Sequence, residues 1–208
     1  MDSKLIKILL VEDNPGDARL LRETLAEAQN INIDICHVDN LQNAYQQLKS
    51  SPFDVVLLDL SLPDATGFEA FVWLYAQSPQ VPIIILTGLD DQQLAIKAIR
   101  KGAQDYLVKG MIDSARLVHS ISYAIERHQM KQALKESEKK YSSIIEAAND
   151  AIITADAETS IIIDANKKAE DLLGIPIEKI IGMELINIYP DDQIDYYRKV
   201  FLDKLKAL

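Results

Sequence analysis

The sequence predicts an α/β protein built on a five-stranded, doubly wound parallel sheet, followed by a long helix and a partial α+β unit. Between residues 5 and 127, five apolar segments alternate with five segments of helical apolar spacing. This alternation is typical of parallel strands joined by helices on both faces of a sheet. Most of the apolar segments are continuous runs, as expected for strands buried on both faces.

The elements of the sheet unit follow one another in order along the chain. The strand at 33–38 alternates apolar and polar residues, so we place it nearer the edge of the sheet. We expect Asp90 and Asp91 to cap the fourth helix and Gly102 to close it. The predicted strands are 5–11, 33–38, 55–60, 82–86 and 106–108, and the predicted helices are 17–29, 41–48, 67–76, one that ends at 101, and 114–127.

Four of the five predicted strands end in residues that can carry chemistry. Glu12 and Asp13 follow the first strand, and Asp59 closes the third. Thr87 and Lys109 follow the fourth and the fifth. An unpaired buried carboxylate is costly, so an acid at the end of a buried strand must face water, a metal ion or a partner. Because ligands of open α/β sheets bind at the carboxyl ends of the strands, we expect these side chains to share one pocket.

The chemistry of these side chains points to phosphoryl transfer. Carboxylates without a neighbouring His or Cys suit Mg²⁺, which prefers oxygen ligands. Lys109 can neutralise the acids and bind a phosphoryl oxygen, and Thr87 offers a hydroxyl donor. Asp59 is then the natural nucleophile, and its attack on a phosphoryl group would make an acyl phosphate.

Residues from about 4 to 127 resemble the receiver domain of the response regulators of two-component signalling, which implies a flavodoxin-like fold. The resemblance is carried by the acid pair Glu12-Asp13, Asp59 within the segment 57–64, Gly67, Thr87-Gly88, Tyr106 and Lys109. It implies that Asp59 accepts a phosphoryl group from a histidine kinase or a histidine phosphotransfer protein. It also implies a module that is no enzyme beyond its own phosphorylation and dephosphorylation.

The resemblance further implies how the metal ion is bound. Mg²⁺ would be held by Asp13, Asp59 and the backbone carbonyl of Ser61, and Glu12 would act through water.

The remaining implied roles concern the switch and the loop after the last strand. Thr87 would turn toward the phosphoryl group after phosphorylation, and Tyr106 would swing inward as the switch aromatic. The chain departs from the family after Lys109, where a proline in a cis peptide is usual and this sequence has Gly110.

Two other functions compete with the receiver hypothesis. Aspartyl phosphohydrolases usually carry a second acid two residues after the nucleophile, and this chain has Ser61 there. A receiver-like scaffold that only dimerises would not need every site residue. The sequence also has neither of the common glycine-rich nucleotide-binding motifs.

From residue 114 the helical pattern continues without Gly or Pro to about residue 148. Residues seven apart form a heptad seam, which predicts a two-stranded parallel coil that joins two receivers, whereas a solvated charged helix is the alternative. The seam consists of Tyr123, Met130, Ser137 and Ile144, together with Leu134, Tyr141 and Ala148.

The last segment, about 141–208, resembles the front half of a PAS sensor domain. The resemblance is carried by 149–153, 164–166 and 172–174, in a pattern of hairpin followed by helix. The PAS family continues with a long helix and three strands, so we expect a fragment of a larger signalling enzyme, such as a hybrid histidine kinase or a cyclic-dinucleotide enzyme. No PAS ligand is assigned.

The expected organisation is therefore a receiver domain at 4–127, a helical linker at 128–148 and a partial PAS domain at 141–208. Net charge of -10 argues against binding of nucleic acid, and we expect no membrane segment and a cytoplasmic location. Four further residues that often carry chemistry, Cys36, His37, His119 and His128, are predicted to have no role in the site.

Overall fold

The structure is a computed structural model that describes residues 5–28, 31–65, 67–88, 91–189 and 196. The chain divides into two compact units, residues 1–132 and 133–208. None of the helices described is both long and apolar enough to span a membrane.

The first unit is a five-stranded parallel sheet with the strand order β2-β1-β3-β4-β5. This is the doubly wound topology that the sequence predicts, and the fold class is confirmed. In chain order the elements are β1 Leu5–Val11, α1 Pro15–Ala26, β2 Asn32–Val38, α2 Leu41–Ser50, β3 Val55–Asp59, α3 Phe68–Gln77, β4 Ile83–Thr87, α4 Gln92–Lys101, β5 Asp105–Val108 and α5 Ser114–Ala147, the last of which continues into the second unit.

Both faces of the sheet are covered, because alternate strand residues enter one of two separate cores. Leu9, Leu58 and Ile85 pack with residues of α2, α3 and α4. Leu10 and Ile84 pack on the other face with residues of α1 and α5. Burial of one such side chain contributes about 1.5–3 kcal/mol, so the two cores hold the strands in a fixed register.

The start of α4 differs from the prediction. Asp91 stands at the N-cap position, but its side chain makes no capping hydrogen bond. The reason is its backbone, with φ -102° and ψ 11°, whereas a side-chain cap requires an extended residue. Asp90 lies outside the described residues. Gly102 closes α4 as predicted, with φ 121°.

The second unit begins with the end of α5 and contains a two-stranded antiparallel hairpin, as the sequence predicts. Buried Asn166 organises this unit, because its side chain accepts hydrogen bonds from the backbone N–H groups of Ile152 and Ala169. Its amide group donates to the carbonyls of Ile145 and Asp150. The elements are β6 Ile153–Ala155, β7 Ile162–Ala165, α6 Lys167–Leu173, α7 Ile177–Ile180 and a 3-10 helix at Leu185–Ile188.

Candidate functional site

The parallel register brings the strand ends of the first unit to one rim. Asp59 pairs with Leu86 on the neighbouring strand, and Thr87 pairs with Val108. The ladders continue beyond the strands, since Lys109 N–H donates to the Thr87 carbonyl at 2.8 Å. Residues far apart in the sequence therefore end within reach of one another.

Three of the predicted acids form one cluster at this rim. Glu12, Asp13 and Asp59 each offer a carboxylate oxygen, and these oxygens lie within 4.8 Å of one another. Glu12 and Asp59 are buried, whereas Asp13 is exposed. The two buried carboxylates in particular require a positive counter-charge.

Lys109 supplies part of that charge. Its Nζ lies 2.6 Å from Glu12 Oε2, 2.9 Å from Asp59 Oδ2 and 3.0 Å from Asp17 Oδ2. Burial alone would lower the pKa of Lys109, but its close contacts with the carboxylates of Glu12 and Asp59 outweigh burial and raise that pKa above its usual value. The lysine is therefore fixed as a cation.

The negative charge of Glu12 is only partly offset by Lys109. Burial, which is the largest cause, and the charge of Asp59 together raise the pKa of Glu12 to about 6 against the lowering effect of Lys109. The Glu12 Oε2 atom is buried and, despite its short ion-pair distance to Lys109, makes no hydrogen bond of regular geometry. Three clustered carboxylates beside one ammonium group keep a net negative charge, which suits a hard divalent cation with oxygen ligands, so the cluster could bind a metal.

The predicted switch residues lie on β4 and β5, and Ser61 lies in the loop after β3. The hydroxyl of buried Thr87 donates a hydrogen bond of 3.1 Å to the Gly88 carbonyl and therefore faces its own loop. Tyr106 is half-buried and packs against the core on the α2–α3–α4 face. Ser61 is exposed and lines a cavity of about 720 Å³ that also includes Asp13.

Gly110 occupies a conformation that a proline cannot adopt. Its φ is 80°, whereas the proline ring fixes φ near -65°. Every peptide bond among the described residues is trans. The glycine thus gives the loop after β5 a different backbone path from one that proline would allow.

Sequence reasoning missed two residues that contact the site. Asp17, in the first turn of α1, binds Lys109. His37, predicted to have no role, places Nε2 2.7 Å from the Glu12 carbonyl oxygen. Because a carbonyl can only accept, the imidazole donates this hydrogen bond and holds the backbone of the acid pair. Spacing offered no signal for either residue, since Asp13, four positions before Asp17, precedes the cap of α1.

Comparison with family models identifies both parts of the chain. Residues 8–122 match the response regulator receiver domain. Residues 139–206 match a PAS domain. The first match covers more than half of the 208 residues, so the chain belongs to the response regulator receiver family. Both resemblances predicted from the sequence are confirmed.

Named response regulators are similar to part of this chain. The chain is similar to response regulator protein PilR of Pseudomonas aeruginosa, with 32% identity over 119 residues, 57% of this chain and 26% of PilR. It therefore spans about a quarter of that relative's length. The family and this relative make the chain a module of two-component signal transduction.

Solved structures show the same fold. The chain is similar to the signal receiver domain of an HD domain-containing protein from Pseudomonas fluorescens, with 25% identity, a TM-score of 0.54 and coverage of 64% of this chain and 96% of that one. It is also similar to the structure of adenylate cyclase from Rhodopirellula baltica, with 25% identity, a TM-score of 0.55 and coverage of 66% and 99%.

Proposed function

We propose that Asp59 accepts a phosphoryl group from the phosphohistidine of a histidine kinase or a histidine phosphotransfer protein. A carboxylate oxygen of Asp59 attacks phosphorus, and the bond from phosphorus to the donor imidazole breaks. The imidazole leaves with the bonding electron pair and takes up a proton from solvent, and an acyl phosphate remains on Asp59. The observation that carries this proposal is the contact of 2.9 Å between Lys109 Nζ and Asp59 Oδ2 within the acidic cluster.

The residues around Asp59 suit a magnesium ion. Asp13, Asp59 and the backbone carbonyl of Ser61 would hold Mg²⁺, with Glu12 acting through water. When bound, the ion would offset the charge of the phosphoryl oxygens. The cluster of three carboxylates supports this assignment, because the single charge of Lys109 offsets only one of their negative charges.

Lys109 and Thr87 provide hydrogen bonds for the transferred group. The Lys109 ammonium already lies against the nucleophile and stays charged, so it can donate to a phosphoryl oxygen. The Thr87 hydroxyl would exchange its hydrogen bond to Gly88 for one to the phosphoryl group. Movement of Tyr106, which is half-buried, would follow and signal the phosphorylated state.

We propose that two copies of the chain associate through residues 114–148. In the structure α5 is one helix of 34 residues, and large apolar side chains on its seam face solvent. The exposed seam residues include Tyr123, Met130, Leu134, Tyr141 and Ile144. The domain limits that go with this proposal are a receiver at 4–127, a linker at 128–148 and a PAS segment at 141–208.

We propose no catalysis by this chain beyond its own phosphorylation and dephosphorylation. The chain would act within a larger signalling protein, for which a hybrid histidine kinase and a cyclic-dinucleotide enzyme are alternatives. Solved relatives described as an adenylate cyclase and an HD domain-containing protein support this role. The cytoplasmic location and the absence of nucleic-acid binding stay predictions.

Replacement of the acceptor tests the proposal. The wild-type protein should incorporate acid-labile phosphate from acetyl phosphate in the presence of Mg²⁺, and Asp59→Asn should incorporate none. Asp34→Asn is the matched control, because it makes the same change at an exposed position of edge strand β2. Full incorporation by Asp59→Asn, measured by intact mass, would mean another acceptor.

A further inference from the structure

Asp17 makes an ion pair at the site that the proposed phosphoryl transfer does not use. Its Oδ2 accepts a hydrogen bond of 3.0 Å from Lys109 Nζ, across 92 positions of sequence. The helix start places it there, because Asn14 caps α1, Pro15 occupies the first helical position and Asp17 lies in the first turn. Its carboxylate also suits the positive end of that helix.

Asp17 differs from the other two partners of Lys109. Glu12 and Asp59 have side chains that are 0% and 4% exposed, whereas the Asp17 side chain is 38% exposed. Glu12 and Asp59 also belong to the carboxylate cluster that could hold a metal, and Asp17 does not. Among the residues that the structure describes, Asp17 pairs with Lys109 alone.

An ammonium group has three N–H donors, and Lys109 faces three carboxylates. Its two hydrogen bonds of regular geometry go to Asp17 and Asp59. Because Glu12 Oε2 also lies 2.6 Å from Lys109 Nζ, a phosphoryl oxygen must displace one of the three carboxylates to bind the ammonium. Asp59 and Glu12 change their surroundings when the phosphoryl group and a cation arrive, whereas the Asp17 contact involves no reacting atom.

We propose that Asp17 is a positioning residue that holds the Lys109 ammonium beside Asp59 while the lysine exchanges its other contacts during phosphoryl transfer. This inference rests on the proposed function of Asp59. Asp17 touches no reacting atom and acts through the lysine. Its hydrogen bond limits the places that the long lysine side chain can occupy, so the donor is already oriented when phosphate arrives.

The test compares two substitutions of Asp17 that remove the same charge. Asp17→Asn keeps an oxygen that can accept a hydrogen bond from Lys109, and Asp17→Ala does not. The rate constant for phosphorylation by acetyl phosphate with saturating Mg²⁺ should be about fivefold lower in Asp17→Ala than in Asp17→Asn, as expected for a partly exposed ion-pair contact. Both variants lose one negative charge, so the effect of the lost charge on the rate constant is the same in each and cancels in this ratio.

Glu23→Ala is the control on the same helix. Glu23 pairs with Arg19 on the exposed surface of α1, so its removal should leave the phosphorylation rate at the wild-type value. Thermal midpoints of all three variants show whether a slow rate reflects lost stability. Equal rates for Asp17→Ala and Asp17→Asn, in a wild-type protein that is phosphorylated, overturn this inference alone. A wild-type protein that takes up no phosphate overturns the proposed function and the inference with it.

A second measurement needs no phosphorylation. The Lys109 ammonium should give an ordered ¹H–¹⁵N signal in the wild-type protein, assigned by its loss in Lys109→Arg. This signal should persist in Asp17→Asn and broaden beyond detection in Asp17→Ala. Persistence in both variants would show that Asp17 does not restrain the lysine.

Discussion

Glu12 sits at the carboxyl end of a buried strand with its side chain 0% exposed. Burial raises the pKa of this carboxyl to about 6, which means that its charged form is held at a cost. Lys109 offsets part of this cost, but it shares its ammonium among three acids. A site in which negative charge outweighs positive charge is suited to recruit a cation from solution.

Gly102 provides a test of stability at the same scale. Its φ of 121° is strained for other residues, and an added Cβ would lie 2.7 Å from the Tyr75 ring. Gly102→Ala should therefore lower the free energy of unfolding of the receiver by about 1–3 kcal/mol. Denaturant unfolding measures this change. Gly88→Ala is the control, because a Cβ there meets nothing within 4 Å, and an equal loss in both variants would contradict the steric explanation.

The residues that sequence reasoning missed share one property. Asp17 and His37 act through contacts that join distant parts of the chain, to Lys109 and to the Glu12 carbonyl. Taken alone, an acid in the first turn of a helix is typical of a favourable helix-dipole contact. Strand-end acids such as Asp59 could be predicted, because a charge directly after a buried apolar run has no structural explanation.

Among the elements, α5 stands out because large apolar side chains in its second half are exposed to solvent. Leu117, Ile121 and Ala124 are buried, whereas Met130 and Leu134 are each 62% exposed. Exposed apolar side chains repeated every seven residues are typical of a helix that pairs with another helix. Periodicity therefore predicted the length of this helix correctly, while the partner that would cover its seam stays a prediction.

Sedimentation equilibrium tests the pairing of α5. The wild-type protein should be a dimer, and Leu134→Glu should weaken it at least tenfold, because a charge would enter the seam. Lys135→Glu, one position away and off the seam, is the control for introducing a glutamate on this helix. A wild-type protein that stays monomeric at high concentration would exclude the coiled coil.

At the scale of the whole molecule, the strand order decides what the site contains. β3 lies at the centre of the sheet, with β1 and β4 on either side. Asp59 is therefore flanked by the acid pair of β1 and by Thr87 of β4. Continuous apolar runs made this arrangement predictable, because such runs form parallel strands whose ends meet at one rim. The cap of α4 was not predictable from spacing, since it depends on the local backbone angles of Asp91.

Metal and phosphate-analogue binding should be visible across this rim. Beryllofluoride with Mg²⁺ should shift the backbone amide signals around Thr87 and Tyr106 in NMR spectra. Thr87 lies on β4, which is next to the acceptor strand β3, and Tyr106 lies on β5, one strand further on. Beryllofluoride without Mg²⁺ should leave those signals in place, and Asp59→Asn should abolish the change. Unchanged wild-type spectra with both additives would contradict the switch.

The loop after the acceptor also reaches beyond the site. Both carboxylate oxygens of Asp64 accept backbone hydrogen bonds from the first turn of α2, one from Leu41 and one from Gln42, each at 3.0 Å. These two hydrogen bonds attach the segment that follows Asp59 to the start of α2. If this segment moves, either the start of α2 moves with it or the two backbone N–H groups lose their hydrogen-bond acceptors. The position of α2 is therefore coupled to that of the acceptor loop.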